Sequence, residues 1–537
     1  MTLKLPPPDS DWLAEAATAS PNALALMADG ITWSYARLHE AVGEVAGELA
    51  QQGVQPGDRV ALRAPSGTGY VMAIHAIARL RATAVAINTR LTDAESTFQV
   101  RAAACNGIIT GSDYNLIYSP LPLSRTDINQ RIRSVWPALP DGPTLPPRPI
   151  DPQAIQSILF TSGTSGQPKG AQITYANLYA SAKASAERLG VEPDDRWLAP
   201  LPLYHAGGMS VVWRSVLYRT ATVLENGFDI DRIQAHFDTN QITLISLVPT
   251  QLYRLIQANV RFPGSLRLIL LGGAAATREL LDDAITRGLP VATTYGLTEA
   301  ASQVATMLPA EVQRKPGSVG KPLPGTSVRI VDEAGQGLRS QPSPPAPLPK
   351  SADRRSQRGG ERGVRNGNIL GVPEQLAKVS ESGHSLPPGQ IGEIVVQGPT
   401  VMPGYIGQPP LVDQTFHTGD LGYLDSDGDL WIVQRRSDLI VSGGENIYPA
   451  EVEAALRSHP GIAEACVVGL PDAEWGQRVA AAVILKPGQS VTEVDLLSHI
   501  AGQLAPYKRP RILRFVSEFP QTASGKVIRS AVRELFG

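Results

Sequence analysis

Short apolar runs alternate with amphipathic, helix-like segments along much of the chain. The apolar runs cover residues 60–64, 244–248 and 268–271. A helical pattern follows each run, and after the second it places Leu252, Leu255 and Ile256 on one face. Repeated strand–turn–helix units predict an α/β fold with parallel sheets covered by helices. Ligands of such sheets bind at the carboxyl ends of the strands, where most Gly/Ser/Thr-rich turns of this sequence lie.

Residues 335–388 break this pattern, because a proline-rich stretch leads into a glycine- and arginine-rich run with almost no apolar periodicity. The flanking residues, 328–332 and 392–396, have the pattern of two strands that a short turn could join. A loop of this length and composition predicts a disordered insertion. A basic docking loop is the alternative, and it is less favoured because solvated loops commonly have this composition.

A second boundary falls near residue 436. Beyond it lie a helical pattern at 450–456, strands at 465–470 and 480–485, and a lysine-bearing end. A unit of about 100 residues is an ordinary domain size. We therefore predict a large multi-lobed N-terminal domain over residues 1–435 and a small α+β C-terminal domain over residues 436–537.

Composition narrows the class of protein. The chain has 537 residues, of which 42% are hydrophobic, and its formal net charge is −2. That length exceeds one ordinary core, and the small charge provides no general attraction to nucleic acid or to anionic membranes. Cys105 and Cys466 are far apart, which argues against a disulfide framework. Since no leader pattern opens the sequence and no apolar run approaches the ~20 residues of a membrane span, we expect a cytoplasmic protein.

The strongest local signal is an apolar strand that ends in a turn with four hydroxyl side chains around a glycine. The turn reads Thr161-Ser162-Gly163-Thr164-Ser165-Gly166, followed by Gln167-Pro168-Lys169-Gly170. Glycines let backbone N–H groups converge and hydroxyls add neutral donors, which suits a phosphate. The Walker A spacing is absent. A plain Ser/Gly linker would need neither the strand before it nor the Pro-Lys-Gly after it.

This turn resembles the phosphate-binding signature of the adenylate-forming superfamily, which includes acyl- and aryl-CoA synthetases, peptide-synthetase adenylation domains and firefly-type luciferases. Further segments resemble motifs of that superfamily and follow in its order. They are Gly272-Gly273-Ala274-Ala275, Tyr295-Gly296-Leu297-Thr298-Glu299, His417-Thr418-Gly419-Asp420 with Arg435, Ser442-Gly443-Gly444-Glu445-Asn446-Ile447, and Pro520-Gln521-Thr522-Ala523-Ser524-Gly525-Lys526. The resemblance covers the chain except for the insertion, and six motifs in order leave little room for chance.

The resemblance implies an acid–thiol ligase that uses ATP, Mg²⁺ and coenzyme A to convert a small carboxylic acid into its acyl-adenylate and then its CoA thioester. Lys526 would supply positive charge between the carboxylate and the α-phosphate, Glu299 would hold Mg²⁺, and His205 would gate the carboxylate site. Tyr295 would stack on adenine, and Asp420 would accept from the ribose hydroxyls. The residues that the resemblance assigns to ATP are Thr161, Ser162, Gly163, Thr164, Ser165, Gly166, Lys169, Gly273, Ala274, Tyr295, Gly296, Thr298, Asp420 and Arg435.

The same resemblance implies that the C-terminal domain is mobile. After adenylation it would swing about a hinge, withdraw Lys526 and bring a glycine loop to the thiol. Gly443 and Gly444, which lack side chains, would leave room for the pantetheine arm in a CoA tunnel. Gln434 stands where the superfamily's hinge motif has glycine. The hinge itself would consist of Arg436, Ser437 and Asp438.

The segment 201–214 bears on the choice of acid, because Arg214 follows His205 inside an apolar run. A buried arginine is costly unless it is paired, so a ligand carboxylate is a suitable partner. A pair with an internal Asp or Glu, or a guanidinium that reaches the surface, is an equal alternative. The segment resembles o-succinylbenzoate–CoA ligases of menaquinone and phylloquinone synthesis. That resemblance implies that Arg214 clamps the carboxylate that does not react, with His205, Ser302 and Gln303 as further pocket residues.

Two other activities stay open. A medium-chain or aryl acyl-CoA synthetase would need no cation in the acyl pocket. A stand-alone adenylation enzyme would load a carrier protein, although no carrier domain is evident in this chain. A luciferase-like oxygenase has no positive sign here, and a dead binding protein would be expected to lose Lys526 or Glu299. Whether the protein forms a homo-oligomer is left open.

Overall fold

The computed structural model of the chain describes residues 5–28, 30–112, 115–121, 133–134, 144–162, 168–332, 385–434, 439–520 and 527–537. Across these ranges, no helix combines the length and the hydropathy needed to cross a lipid bilayer.

The secondary structure mixes helices and strands throughout. The helices are α1 (Trp12–Ala19), α2 (Tyr35–Gln51), α3 (Thr68–Arg79), α4 (Asp93–Ala102), α5 (Tyr175–Leu189), α6 (Ala206–Tyr218), α7 (Ile230–Thr239), α8 (Pro249–Gln257), α9 (Arg278–Thr286), α10 (Pro309–Val312), α11 (Pro449–Arg457), α12 (Glu493–Ala501) and α13 (Arg529–Glu534). The strands in the first part of the chain are β1 (Leu24–Ala28), β2 (Ile31–Ser34), β3 (Arg59–Arg63), β4 (Thr83–Ala86), β5 (Gly107–Ser112), β6 (Asn115–Pro120), β7 (Arg133–Ser134), β8 (Ile155–Ser162) and β9 (Pro168–Thr174). Those that follow are β10 (Arg196–Ala199), β11 (Ala221–Leu224), β12 (Leu244–Leu247), β13 (Leu268–Leu271), β14 (Val291–Leu297), β15 (Ser302–Met307), β16 (Lys321–Pro322), β17 (Ser327–Val331), β18 (Gly392–Gln397), β19 (Thr415–Leu424), β20 (Leu430–Gln434), β21 (Ile440–Ser442), β22 (Glu445–Ile447), β23 (Ile462–Asp472), β24 (Gly476–Leu485) and β25 (Ile512–Phe515).

The largest sheet has nine strands in the order β16-β15-β14-β13-β12-β10-β11-β1-β2. Its six central strands pair in parallel, and the strands at both edges are antiparallel. Strands β11, β12 and β13 are buried along their whole length, as expected for parallel strands covered on both faces. The predicted helix face of Leu252, Leu255 and Ile256 is confirmed, since α8 packs these side chains into a core with Ile269 of β13.

A second sheet has seven strands in the order β7-β6-β5-β3-β4-β8-β9. Strands β3, β4, β5 and β8 pair in parallel, so their carboxyl ends meet at one edge. The strand predicted before the glycine- and hydroxyl-rich turn is β8, and β9 returns antiparallel to it with Thr161 opposite Lys169. That turn therefore joins two paired strands at the edge where ligands of α/β sheets bind.

A small antiparallel sheet, β17-β18-β19-β20, holds the two strands predicted on either side of the insertion. They pair directly, with Val331 opposite Glu393. The last four residues of the predicted insertion differ from expectation, because residues 385–388 belong to the fold. Ser385 bridges to Val331, and the N–H of Leu386 donates to the carbonyl of Ile330 at 2.7 Å while its side chain packs on the core. The remainder, up to residue 384, lies outside the described residues, so disorder there stays a prediction.

The C-terminal region forms its own sheet, β22-β21-β24-β23, with β25 parallel to β24. Helices α11 and α12 cover one face, and α13 with Phe519 covers the other. The predicted helix at 450–456 and both predicted strands are confirmed. The boundary between residues 435 and 436 lies outside the described ranges and stays a prediction.

Candidate active site

A cavity lies where the carboxyl ends of β4, β8 and β14 face the C-terminal region. Its walls include Thr161 at the end of β8, Thr298 after β14, Asp420 on β19, and Glu445 at the start of β22. Parallel strands bring their terminal side chains together at this edge, which is the usual ligand position in such sheets. Residues from both predicted domains therefore meet around one cavity.

Glu299 is buried beside this cavity in a 3-10 turn, Thr298–Ala300. Its Oε1 accepts from the hydroxyls of Thr161, at 3.2 Å, and Tyr405, at 2.5 Å. Across the described residues, hydrogen bonds reach only this one of its two carboxylate oxygens. The resemblance assigned both Glu299 and Thr161 to the site of ATP and Mg²⁺, whereas Tyr405 lies about a hundred residues farther along and had no local signal.

Lys169, at the start of β9, extends its ammonium toward the same region. Its Nζ is 5.5 Å from the centroid of the Tyr405 ring, within the range of a cation–π contact. Several predicted residues of the turn lie outside the described residues, and only the backbone of Ser162 is described. Those outside are Gly163, Thr164, Ser165 and Gly166.

Tyr295 and Asp420 come from different sheets and meet directly. The Tyr295 hydroxyl donates to Asp420 Oδ2 at 2.6 Å, and the tyrosine is 1% exposed. The next residue, Gly296, has no room for a side chain, because a Cβ there would lie 2.1 Å from the carbonyl oxygen of Ser302. The close approach of β14 to β15 at this point explains the glycine between Tyr295 and Thr298.

A second cavity, of about 1000 Å³, opens between the loop that contains Gly273 and Ala274 and the glycine loop that contains Gly443 and Gly444. Gly273 and Gly444 have φ of +82° and +84°, and both pack against the side chain of Val248. Gly443 has φ of +58°, and a Cβ there would meet the Trp475 ring at 2.8 Å. These glycines are required because the backbone is left-handed where the two loops converge. Ala274 lines the same cavity.

Glu445 links the glycine loop to the N-terminal lobe. Its carboxylate lies 3.2 Å from His205 Nε2, 3.2 Å from Asn88 Nδ2 and 3.2 Å from Arg90 Nη1. Burial acts to raise the pKa of this carboxyl, but His205 and Arg90 outweigh it and hold the pKa below its ordinary value. The sequence identified His205 but missed Asn88 and Arg90, whose partner is more than 350 residues away.

Arg214 lies on α6 and is 2% exposed. Its Nη2 donates to Ser181 Oγ at 3.2 Å, its guanidinium carbon is 5.8 Å from the Trp197 ring, and its Nε has no hydrogen-bond partner. Within the described part of the chain, no carboxylate lies within ion-pair distance, and burial lowers the pKa of this guanidinium. Among the described residues, Arg214 therefore has neither an internal ion-pair partner nor a guanidinium exposed at the surface.

Ser302 and Gln303 lie at the start of β15, where Ser302 contacts α6, the helix that carries Arg214. Ser302 has φ of +111°, which is strained for a residue with a side chain, and its hydroxyl is 3.3 Å from that of Ser210 on α6. Gln303 is buried, and its Oε1 lacks a hydrogen-bond partner among the described atoms. Strained backbone is concentrated at functional sites, so Ser302 stays a candidate for the acid pocket, and the amide oxygen of Gln303 would offer an acceptor beside it.

The remaining predicted site residues fall outside the described ranges. They are Arg435 of the predicted ATP site, the predicted hinge residues Arg436, Ser437 and Asp438, and Lys526. Among the described residues on either side of Lys526, the N–H of Ile528 donates to the carbonyl of Pro520 at 2.8 Å.

The chain matches the AMP-binding enzyme family over residues 13–342 and the AMP-binding enzyme C-terminal domain over residues 451–526. It is 35% identical over 527 residues to a 2-succinylbenzoate–CoA ligase of Bacillus cereus (strain Q1), with 98% of each chain covered.

Two solved structures of the o-succinylbenzoate CoA synthetase from Bacillus subtilis are similar over 98% of each chain at 32% identity. The TM-score is 0.82 with a double mutant bound with its product analogue OSB-NCoA, and 0.66 with the complex containing the acyl-adenylate intermediate OSB-AMP. Because these structures hold the same protein apart from two substitutions, the difference reflects conformation. The present arrangement is closer to that of the complex with the CoA product analogue.

Proposed function

The chain belongs to the AMP-binding enzyme family, and on that premise we propose that it is an ATP-dependent ligase that joins 2-succinylbenzoate to coenzyme A. One carboxylate of the acid attacks the α-phosphorus of ATP, and pyrophosphate leaves. The CoA thiol then attacks the acyl carbon of the adenylate, and AMP leaves. The observation that carries the choice of acid is the buried guanidinium of Arg214, which has no carboxylate partner among the described residues.

The first step requires charge to be balanced as two anions approach each other. Glu299 would hold Mg²⁺, since it has a carboxylate oxygen free of hydrogen bonds to described residues and a hydroxyl of Thr161 beside it. When bound, Mg²⁺ neutralises phosphate charge. Thr161 and Lys169 flank the turn that would receive the β- and γ-phosphates, together with Ser162, Gly163, Thr164, Ser165 and Gly166. Lys526 would add positive charge at the reacting carboxylate.

The nucleoside would lie between the two sheets that meet at Tyr295. Asp420 would accept from the ribose hydroxyls with Arg435, and the Tyr295 ring would stack on adenine. Gly273 and Ala274 would form the adenine-side wall, with Gly296 and Thr298 at the opposite edge. The Tyr295–Asp420 hydrogen bond supports this assignment, because it brings the ring and the ribose acceptor side by side.

The second step needs a path for the thiol. Gly443 and Gly444 would line the CoA tunnel where their backbone passes Val248 and Trp475. The domain would turn about Arg436, Ser437 and Asp438 to exchange Lys526 for this loop. The higher similarity to the complex with the CoA product analogue supports the present arrangement as the thioester-forming one.

The acid would lie along the face of α6. His205 would gate the reacting carboxylate, and Arg214 would clamp the second one with Ser302 and Gln303 nearby. A carboxylate ligand would satisfy the free Nε of Arg214 in a charge-assisted hydrogen bond, which is stronger than a neutral one. Since ATP and CoA are intracellular, we infer a cytoplasmic location; whether the enzyme forms a homo-oligomer is open.

A substrate panel assayed by pyrophosphate release tests this proposal. The panel contains 2-succinylbenzoate, benzoate and octanoate, each with ATP and Mg²⁺ and with or without CoA. We expect turnover with the diacid to exceed that with either monoacid and to yield a CoA thioester by mass spectrometry. Turnover of octanoate with none of 2-succinylbenzoate would refute the acid while leaving the ligase class intact.

A further inference from the structure

A buried ion network crosses the interface between the two domains beside the candidate active site. Lys508 lies in a 3-10 turn of the C-terminal domain, Pro506–Lys508, and is 4% exposed. Its Nζ donates to Glu95 Oε1 at 2.7 Å and to Glu451 Oε1 at 2.7 Å. Glu95 belongs to α4 of the N-terminal domain, whereas Glu451 belongs to α11 of the C-terminal domain. One ammonium therefore has one carboxylate partner on each side of the interface.

The carboxylate of Glu95 is held in place before it meets Lys508. Its Oε2 accepts from the backbone N–H and the hydroxyl of Thr92, both at 2.8 Å, which forms the capping box that begins α4. Its Oε1 is the atom that faces Lys508. Because the capping box already fixes the side chain, little conformational entropy is lost when the ion pair forms. The pair is stronger for that reason than one between two mobile surface chains.

Separation of the domains would break one contact of Lys508 and keep the other. The Lys508–Glu451 pair lies wholly within the C-terminal domain, so the lysine would not become an unpaired buried charge. Glu95 would keep its capping box and become solvated. The Lys508–Glu95 contact therefore depends on the present arrangement of the domains, whereas the Lys508–Glu451 contact does not.

This contact is connected to the glycine loop. Asn88 donates to the hydroxyl of Tyr507, the neighbour of Lys508, at 3.3 Å, and to Glu445, the neighbour of Gly444, at 3.2 Å. We propose that Glu95 and Lys508 are a positioning pair that holds the glycine loop at the active site for the thioester-forming step. The inference rests on the proposed two-step reaction.

The variant that tests the pair is Glu95→Gln. Glutamine is also favoured at this position of a capping box, so α4 keeps its start while the ion pair loses its charge. Adenylate formation is measured by ATP–pyrophosphate exchange, and thioester formation by single-turnover conversion of supplied acyl-adenylate. We expect thioester formation to slow about tenfold, equivalent to about 1.4 kcal/mol, and exchange to stay within about twofold of the parent.

A matched control exists in the C-terminal domain. Asp495 occupies the same position in the capping box of α12, where its Oδ2 accepts from the backbone and hydroxyl of Thr492, but it is exposed and has no partner across the interface among the described residues. Asp495→Asn should change neither half-reaction. Lys508→Arg, which keeps the charge, should retain more thioester formation than Lys508→Gln. In a double variant, Glu95→Gln should cause little further slowing of thioester formation beyond that of Lys508→Gln alone.

Small-angle X-ray scattering of the unliganded proteins needs no substrate and so separates this inference from the proposed function. We expect Glu95→Gln to shift the profile away from that of the present domain arrangement, and Asp495→Asn to leave it unchanged. An unaltered profile with unaltered thioester formation would overturn the positioning pair. Equal slowing of both half-reactions would also overturn it, since that result indicates a general structural role. A parent that makes no thioester with any acid would instead refute the proposed function.

Discussion

Replacement of Arg214 by methionine tests whether this residue binds the ligand or stabilises the fold, because the two roles predict opposite effects on the free energy of unfolding. Methionine keeps most of the side-chain volume and removes the charge. In the unliganded protein, Arg214 has one hydrogen bond to Ser181 and a distant stack on Trp197, which stabilise by about 2–4 kcal/mol together. Desolvation of a buried ion costs several kcal/mol, and no described carboxylate offsets it. Arg214→Met should therefore leave the free energy of unfolding unchanged or raise it by up to about 2 kcal/mol.

The same substitution should weaken the binding of 2-succinylbenzoate. Loss of one partner from a buried charge-assisted contact costs about 2–5 kcal/mol, or roughly 30- to several-thousand-fold in apparent affinity. The KM for 2-succinylbenzoate should rise by that factor, while the KM for ATP should hardly change because the phosphate turn lies elsewhere. Residual turnover of a monoacid should be affected much less.

The chain contains a matched control for this prediction. Arg79 is also buried, at 4% exposure, but its Nε lies 3.2 Å from Asp11 and its Nη2 lies 2.9 Å from His39. Arg79→Met should destabilise the protein by about 3–5 kcal/mol, because it leaves Asp11 without its ion-pair partner, and it should not change the KM of the acid in the folded fraction. A melting temperature lowered as much by Arg214→Met as by Arg79→Met, with an unchanged KM for 2-succinylbenzoate, would refute the clamp.

Three further predictions concern other parts of the chain. Lys526→Ala should abolish pyrophosphate exchange and leave thioester formation from supplied acyl-adenylate largely intact; equal loss in both assays would contradict the exchange of Lys526 for the glycine loop. Gly444→Leu should have the reverse effect, because the added side chain strains a left-handed backbone and would crowd Val248, and a larger loss in exchange than in thioester formation would be evidence against the tunnel. Deletion of residues 337–383 should change the melting temperature by no more than about 2 °C and leave turnover intact, since β17 and β18 pair directly and a short turn can join them; a large drop in either would show that the segment takes part.

The local sequence pattern was sufficient to predict those elements whose form depends on residues close together in the sequence. The strands at 244–248 and 268–271 and the face of α8 follow from apolar periodicity alone, because burial on both sides of a parallel sheet requires it. Gly296 and Gly443 were identified from the family resemblance, and the structure adds the cause: a Cβ at Gly296 would meet the backbone of Ser302, and one at Gly443 would meet the Trp475 ring. The predicted end of the insertion was less accurate, because a single apolar residue, Leu386, is the signal that packing on the core resumes there.

Contacts between distant segments could not be predicted in the same way. Tyr405 reaches Glu299, Arg90 reaches Glu445 and Glu95 reaches Lys508 across roughly one hundred to four hundred residues, and each is an ordinary polar residue in its own segment. Periodicity identifies which face is apolar but not which charges meet across an interface. The surroundings of Arg214 are of the same kind, because only the three-dimensional arrangement shows that the described residues place no carboxylate within ion-pair distance of its guanidinium.

Two charged groups at the interface, Glu445 and Lys508, respond differently to acid, and the directions of their pKa shifts decide whether either can make the enzyme sensitive to pH. Although burial alone would raise it, His205 and Arg90 hold the pKa of Glu445 below its ordinary value. A carboxyl with a lowered pKa contributes stability that is present above the ordinary glutamate value of about 4.3 and is lost only as the pH falls through the lowered pKa. Burial alone would lower the pKa of Lys508, but Glu451 and Glu95 outweigh it and raise that pKa, so the contribution of Lys508 is lost only at pH above the ordinary lysine range. Burial raises the pKa of the partner carboxyl of Glu451, so in this cluster the group whose pKa moves toward neutral pH is Glu451 and not Lys508. Neither Glu445 nor Lys508 titrates between pH 6 and 8, so thioester formation should not acquire a pH dependence from Glu445 or Lys508 in that window. A step in the thioester-forming rate there that disappears in Glu95→Gln would contradict this reasoning.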